Sequence, residues 1–126
     1  MKVESHDEVT RFIRPKEKDY VTALGNLKTA AFKPHKNDNA VSVFITSLMS
    51  LDEIWEHGKL YFEVLGNTII GRAKLIAGVV YEADLNFDYN NNPPRHANII
   101  GFSDEKPKLL IQKQRLAMNS IYEKRK

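Results

Sequence analysis

At 126 residues, with 42% hydrophobic content and a net charge of +3, the chain is long enough to close one core and too short for two ordinary domains. It contains no cysteine, which excludes a disulfide framework, a thiol nucleophile and a thiolate metal site. Its apolar residues come in short runs and periodic patches, none near the roughly 18 consecutive positions a membrane helix needs.

The charge is unevenly placed. Residues 1–103 hold 12 Lys and Arg against 13 Asp and Glu, whereas residues 104–126 hold 7 against 3. The basic excess belongs to the C-terminal segment, where Lys124-Arg125-Lys126 can weakly attract RNA, DNA or an acidic partner. Cations at the negative pole of a helix dipole explain it as well, so nucleic-acid binding is not inferred. The start, Met1-Lys2-Val3-Glu4-Ser5-His6-Asp7-Glu8, is polar where a secretory signal needs an apolar block, and a cytoplasmic location is expected.

In chain order, residues 1–7 are expected to fray. Val9-Thr10-Arg11-Phe12-Ile13-Arg14 mixes β-branched and aromatic residues with charge and stops at Pro15, the pattern of a short strand, with the proline suggesting an edge position. Leu24-Gly25-Asn26-Leu27 is a turn leading to Lys28-Thr29-Ala30-Ala31-Phe32, where Phe32 should be core. After the loop Pro34–Asn39, Val41-Ser42-Val43-Phe44-Ile45-Thr46 is the most strand-like run, and the apolar Phe44 opposite Val43 implies that both faces are covered. Ser42 is then either a buried, hydrogen-bonded hydroxyl or a site residue.

Ser50-Leu51-Asp52-Glu53 has the spacing of a capping box, and Ile54, Trp55, Gly58, Phe62 and Leu65 continue at helical spacing up to a Gly66-Asn67 stop. His57 falls beside that stripe and is expected at the surface. Thr68–Gly71 suggests a brief strand, Arg72–Ala77 a turn or two of helix, and Tyr81–Asp88 a half-buried strand by its strict alternation. Asp104, Glu105 and Pro107 open a second long helix. The fold class is therefore α+β: a single domain with a mostly antiparallel sheet from strands near 9–14, 41–46, 79–87 and 97–102, and two main helices near 51–65 and 106–122 packed on it. The last residues, 124–126, are expected to fray.

Candidate chemistry is sparse. Asp84-Leu85-Asn86-Phe87-Asp88 imitates a calcium loop, but Tyr89 stands where the turn needs Gly and Arg95 where the bidentate Glu belongs, so no metal site is expected. Phosphate-loop and hydrolase-elbow motifs are absent. His96, after Asn90-Asn91-Asn92-Pro93-Pro94-Arg95, is the most reactive-looking side chain. Asp84 or Asp88 can reach it across a hairpin and make it an acid/base candidate, or it can donate to a backbone carbonyl and lock the loop.

An early Arg (Arg14 or Arg11), Ala31-Phe32, Ser42-Val43, a capped helix and Pro94-Arg95-His96-Ala97 before Gly101 give the chain an order of landmarks that resembles a small bacterial protein family. That resemblance implies a compact intracellular protein and brings no assigned activity; the Asn-rich approach to His96 departs from it. The first half also looks like the front of ADP-ribosyltransferase-type folds, in which an early Arg and a Ser-bearing strand hold NAD. Such enzymes need a late Glu, for which only Glu82 and Glu105 are available. The expectation is a small intracellular binding or accessory module of a bacterial system. It would meet a protein or small-molecule ligand through a surface around Arg14, Ser42, Arg72 and His96, without a cofactor. The rival expectation is an ADP-ribosyltransferase-like or nucleotide-processing enzyme using the same cluster with NAD.

Overall fold

In the computed structural model, which describes residues 2–126, six strands form one antiparallel sheet in the order β4-β5-β2-β1-β3-β6. The strands are β1 (Glu8–Ile13), β2 (Val41–Ile45), β3 (Gly71–Ile76), β4 (Asn86–Asp88), β5 (His96–Ile100) and β6 (Ile121–Lys124). Three α-helices accompany them, α1 (Leu51–Phe62), α2 (Ala77–Glu82) and α3 (Lys106–Met118). The chain is a single α+β domain.

Because side chains alternate across a strand, the sheet has two covered faces. Val9, Val43, Leu75, Ala97 and Ile99 point to the face packed by Val80 of α2 and Leu116 of α3. Phe12 and Phe44 point to the other, where Ile54 of α1 lies on them. The capping box of α1 is present in both halves: Glu53 N–H donates to Ser50 Oγ, and Ser50 N–H donates to Glu53 Oε1. Gly66 ends the following turn with φ 82°, a conformation open to glycine without strain. Gly58 is needed for a different reason. A Cβ there would lie 2.6 Å from Ile69 Cδ1 and 2.8 Å from the Phe12 ring, so only glycine lets α1 sit this close to the sheet.

Four expectations are corrected. β1 is interior, between β2 and β3, not at an edge. The run Arg72–Ile76, composed of helix formers, is strand β3 because it pairs on both sides, with β1 from Glu8↔Ile76 to Ile13↔Gly71 and with β6 from Lys74↔Ile121 to Gly71↔Lys124. Pairing on two edges outweighs an intrinsic preference of a few tenths of a kcal/mol per residue. The β-rich Val79-Val80-Tyr81 is in turn helical. The free amides at the start of α2 find partners, since Ala77 N–H donates to Asp7 O and Gly78 N–H to Ser5 O. Finally, the second long helix stops at Met118, and Ile121–Lys124 becomes edge strand β6.

The alternation seen in Tyr81–Asp88 is real in burial, with Ala83 and Leu85 buried and Glu82, Asp84, Asn86 and Asp88 exposed. The backbone beneath it is a helix end, a left-handed Asp84 at φ 62° and only three residues of strand. The ends of the chain are also anchored where fraying was expected. Val3 is buried and its carbonyl accepts from Tyr81 Oη, and Arg125 N–H donates to Ile70 O. Met1 lies outside the described residues. Among the described residues no helix is long and apolar enough to cross a membrane.

Candidate functional site, a cleft forked into the sheet

β1 and β2 pair at only two positions, Val9↔Ile45 and Thr10↔Phe44. Beyond them β1 continues alongside β3 and β2 alongside β5, so the two central strands splay apart. Arg11 fills the fork. Its Nη1 donates to Ser42 O of β2 at 2.9 Å and its Nε to Ala31 O, in a 3-10 turn, at 3.2 Å, which gives both carbonyls a partner. Burial, with Arg14 adding like-charge repulsion, pulls the Arg11 guanidinium down to about 10, still charged at neutral pH. No carboxylate lies within salt-bridge distance of Arg11 or Arg14 among the described residues.

The fork opens into a cleft of about 830 Å³. One wall is aromatic, with Phe12, Tyr61 and Phe62; the other is the connection between β1 and β2, which contributes Tyr20 and the 33–38 stretch. That connection carries little regular structure beyond two short 3-10 turns, and connections this long in a compact domain are commonly functional. Lining cations are Arg11, Arg14, Lys33 and Lys36, against the carboxylates Asp19 and Asp38.

Of the four residues expected to form one surface, Arg14 and Ser42 line this cleft, and His96 reaches it only through its contact with Ser42. Arg14 is exposed at the rim and Ser42, half-buried, lies within. His96, 7% exposed, sits directly behind Ser42 on β5. β2 and β5 pair Phe44 with His96 and Ser42 with Asn98, so Ser42 and His96 are diagonal neighbours on one face, a separation long side chains can bridge. His96 Nε2 is 2.6 Å from Ser42 Oγ and its Nδ1 is 2.7 Å from Asn90 Oδ1.

The proton on the ring can be placed. Asn90 Oδ1 also accepts the backbone N–H of Asn92 at 3.2 Å, which identifies that atom as the amide oxygen. An oxygen cannot donate, so Nδ1 carries the hydrogen and Nε2 presents its lone pair to the Ser42 hydroxyl. Burial holds the imidazole below its ordinary range, with Asp88 pulling modestly the other way. The ring is wedged edge-on against Phe44 at 5.3 Å and lies 6.5 Å from Tyr61. His96 therefore donates to a side-chain amide, not to a backbone carbonyl.

The fourth residue, Arg72, is corrected. It is 4% exposed and offers no surface. Its Nε donates to Glu123 Oε1 at 2.7 Å, and its Nη1 donates to Glu8 Oε2 at 3.2 Å and Thr10 Oγ1 at 2.8 Å. Pairing on both sides of β3 and these polar partners hold the side chain beneath the sheet instead of at a surface.

Asn90 is the residue that sequence reasoning missed. The Asn-rich stretch was visible, but the partner of His96 was sought among Asp84 and Asp88. Asp84 is held by Lys108 Nζ at 2.8 Å, and Asp88 acts on the ring only through its charge. His57 was also misplaced. Ile54, His57, Gly58 and Tyr61 share the inward face of α1, so His57 meets the Phe44 ring at 5.1 Å and its Nε2 is buried without a partner. Burial lowers its basicity and Arg95 adds to the effect, while the Pro94 carbonyl, as an acceptor for the ring, opposes them. Neither Glu82 nor Glu105 lines the cleft. Among the described residues no three His, Asp or Glu side chains gather as metal ligands.

Fold and site together define a class: a single α+β domain whose central strands part to hold a cationic, aromatic-walled cleft backed by a Ser–His–Asn chain of hydrogen bonds. No protein-family model, curated protein or solved structure matches the chain.

Proposed function

We propose that this chain is a small-molecule binding module whose ligand is a small anion carrying a flat ring, seated in the fork between β1 and β2. The reading retains Arg14, Ser42 and His96 and leaves out Arg72. The observation that carries it is Arg11: a guanidinium fixed in the fork by two carbonyls, with Arg14 beside it and no paired carboxylate. An excess of positive over negative lining groups in a partly desolvated cleft favours an anion. Phe12, Tyr20, Tyr61 and Phe62 offer ring surfaces for a flat group, and the cleft volume suits a nucleotide-sized molecule.

The test is a thermal-shift and calorimetric comparison of ADP, NAD and ADP-ribose with uncharged adenosine, at low and high salt. Saturable stabilisation by the anions is expected, weakening as salt rises because the rim charges are screened. Arg14→Ala, at an exposed position, should weaken anion binding about tenfold through loss of one charge-assisted contact while leaving the melting temperature of the free protein unchanged. Equal responses to ADP and adenosine, or none to either, would overturn the reading.

A further inference from the structure

The hydrogen-bonded chain behind the cleft can do more than shape it. We infer that Ser42 is a nucleophile, that His96 is its general base and that Asn90 is the positioning residue that sets the ring's tautomer. Together they hydrolyse small acyl esters that carry an anionic group. This deepens the proposed function and rests on it for the anionic half of the substrate.

Three observations on independent elements converge. Ser42, on β2, opens on the cleft. His96, on β5, holds Nε2 at 2.6 Å from Ser42 Oγ, within the range for nucleophile–base pairs. Asn90, in the connection between β4 and β5, takes Nδ1–H at 2.7 Å and is itself fixed by the Asn92 amide. A nucleophile, a base and a group orienting that base are the parts by which such a constellation is recognised, whatever fold carries it. A purely structural histidine would not need its free lone pair aimed at a serine hydroxyl that lines the cleft.

The step balances without a further reagent. As Ser42 Oγ bonds to the ester carbonyl carbon, its proton passes to His96 Nε2 and the carbonyl electron pair moves onto oxygen. Asn98, paired directly opposite Ser42 and lining the same cleft, offers an amide donor to that oxygen. The tetrahedral adduct collapses by breaking the bond from carbon to the alkoxy oxygen, and the alcohol leaves with the proton from Nε2. Water then gives a proton to Nε2 and its oxygen bonds to the acyl carbon. The Oγ–carbon bond breaks, Ser42 recovers its proton and a carboxylic acid departs. The ester and one water become an acid and an alcohol.

The orienting group selects the substrate class. A neutral amide stabilises an imidazolium less than a carboxylate does, and Asp88 helps only at a distance. The relay therefore suits the better leaving group of an ester over that of an amide.

The experiment uses the full chain and a neutral fluorophosphonate probe, with the modified site located by peptide mass mapping. A single adduct on Ser42 is expected, absent in Ser42→Ala. Asn90→Ala should slow labelling by at least about tenfold, the lower end of what loss of an aligned base costs. Asn90→Asp should restore the rate and move its pH profile upward, because a carboxylate at that place favours the charged ring. ADP should protect Ser42 from the probe. An unlabelled Ser42 in a chain that binds ADP would overturn the relay and leave the anion site standing. Labelling at Ser42 without protection by ADP would uphold the nucleophile and overturn the anionic substrate. Equal labelling rates and pH profiles in the wild type, Asn90→Ala and Asn90→Asp would overturn the role of Asn90.

Discussion

Phe44→Ala is expected to lower the stability of the folded chain by about 3–5 kcal/mol, the usual range for removing a fully buried aromatic side chain. For a domain of this size that corresponds to a fall in melting temperature of roughly 10–20 °C, measurable by calorimetry or circular dichroism. The position is severe because the Phe44 ring, 1% exposed, is the hub of one face. It meets Phe12 at 5.6 Å, His57 at 5.1 Å, Tyr61 at 5.4 Å, Phe62 at 6.3 Å and His96 at 5.3 Å. Truncation leaves a cavity between α1 and the sheet and removes the wedge that keeps the His96 imidazole in place. Phe44→Leu, which keeps most of the volume, should be far milder. Equal losses in the two variants would mean that packing at this ring is not what holds α1 to the sheet.

Arg72→Ala is the second large effect, expected at about 2–4 kcal/mol. Removing one partner of a buried ion pair leaves the other charge uncompensated, which costs about 3–5 kcal/mol when both groups are fully buried. Here the carboxylates keep partial access to water, with Glu8 27% and Glu123 32% exposed, so the loss is smaller. The network is continuous: Thr46 Oγ1 donates to Glu8 Oε2 at 2.6 Å, Thr46 and Thr10 hydroxyls are 3.0 Å apart, and Arg72 joins Thr10 to both acids. The combined replacement Arg72→Met, Glu8→Gln and Glu123→Gln should recover much of the loss, because it removes the charges together with their partner. A urea titration of the single and combined variants checks this. A combined variant no more stable than Arg72→Ala would show that the network contributes through something other than charge compensation.

The parts legible in the sequence were those with a local mechanism. Ser50 and Glu53 announce α1 because a capping box needs only residues three apart, and Val41–Ile45 reads as a strand covered on both faces because Phe44 interrupts an otherwise polar alternation. Arg72–Tyr81 was misread because propensity is weak beside tertiary pairing. The segment that makes β3 a strand lies at Ile121–Lys124, and the carbonyls that start α2 belong to Ser5 and Asp7. The candidate site divides in the same way. Ser42 and His96 stood out by residue type, but their contact follows from the β2–β5 register across 54 positions. The fork that exposes Ser42 exists because β1 and β2 stop pairing after Thr10↔Phe44, and no short-range pattern marks the point where two strands part.

The orientation of His96 between Asn90 and Ser42 is tested most directly by long-range proton–nitrogen NMR correlation of the imidazole near pH 7.5. The expected spectrum has Nδ1 protonated and Nε2 with a free lone pair, and a titration midpoint below the ordinary value of 6.5; Asn90→Ala should relax the tautomer preference. A proton found on Nε2 in the unaltered chain would contradict it, since Ser42 would then face a donor where it needs a base.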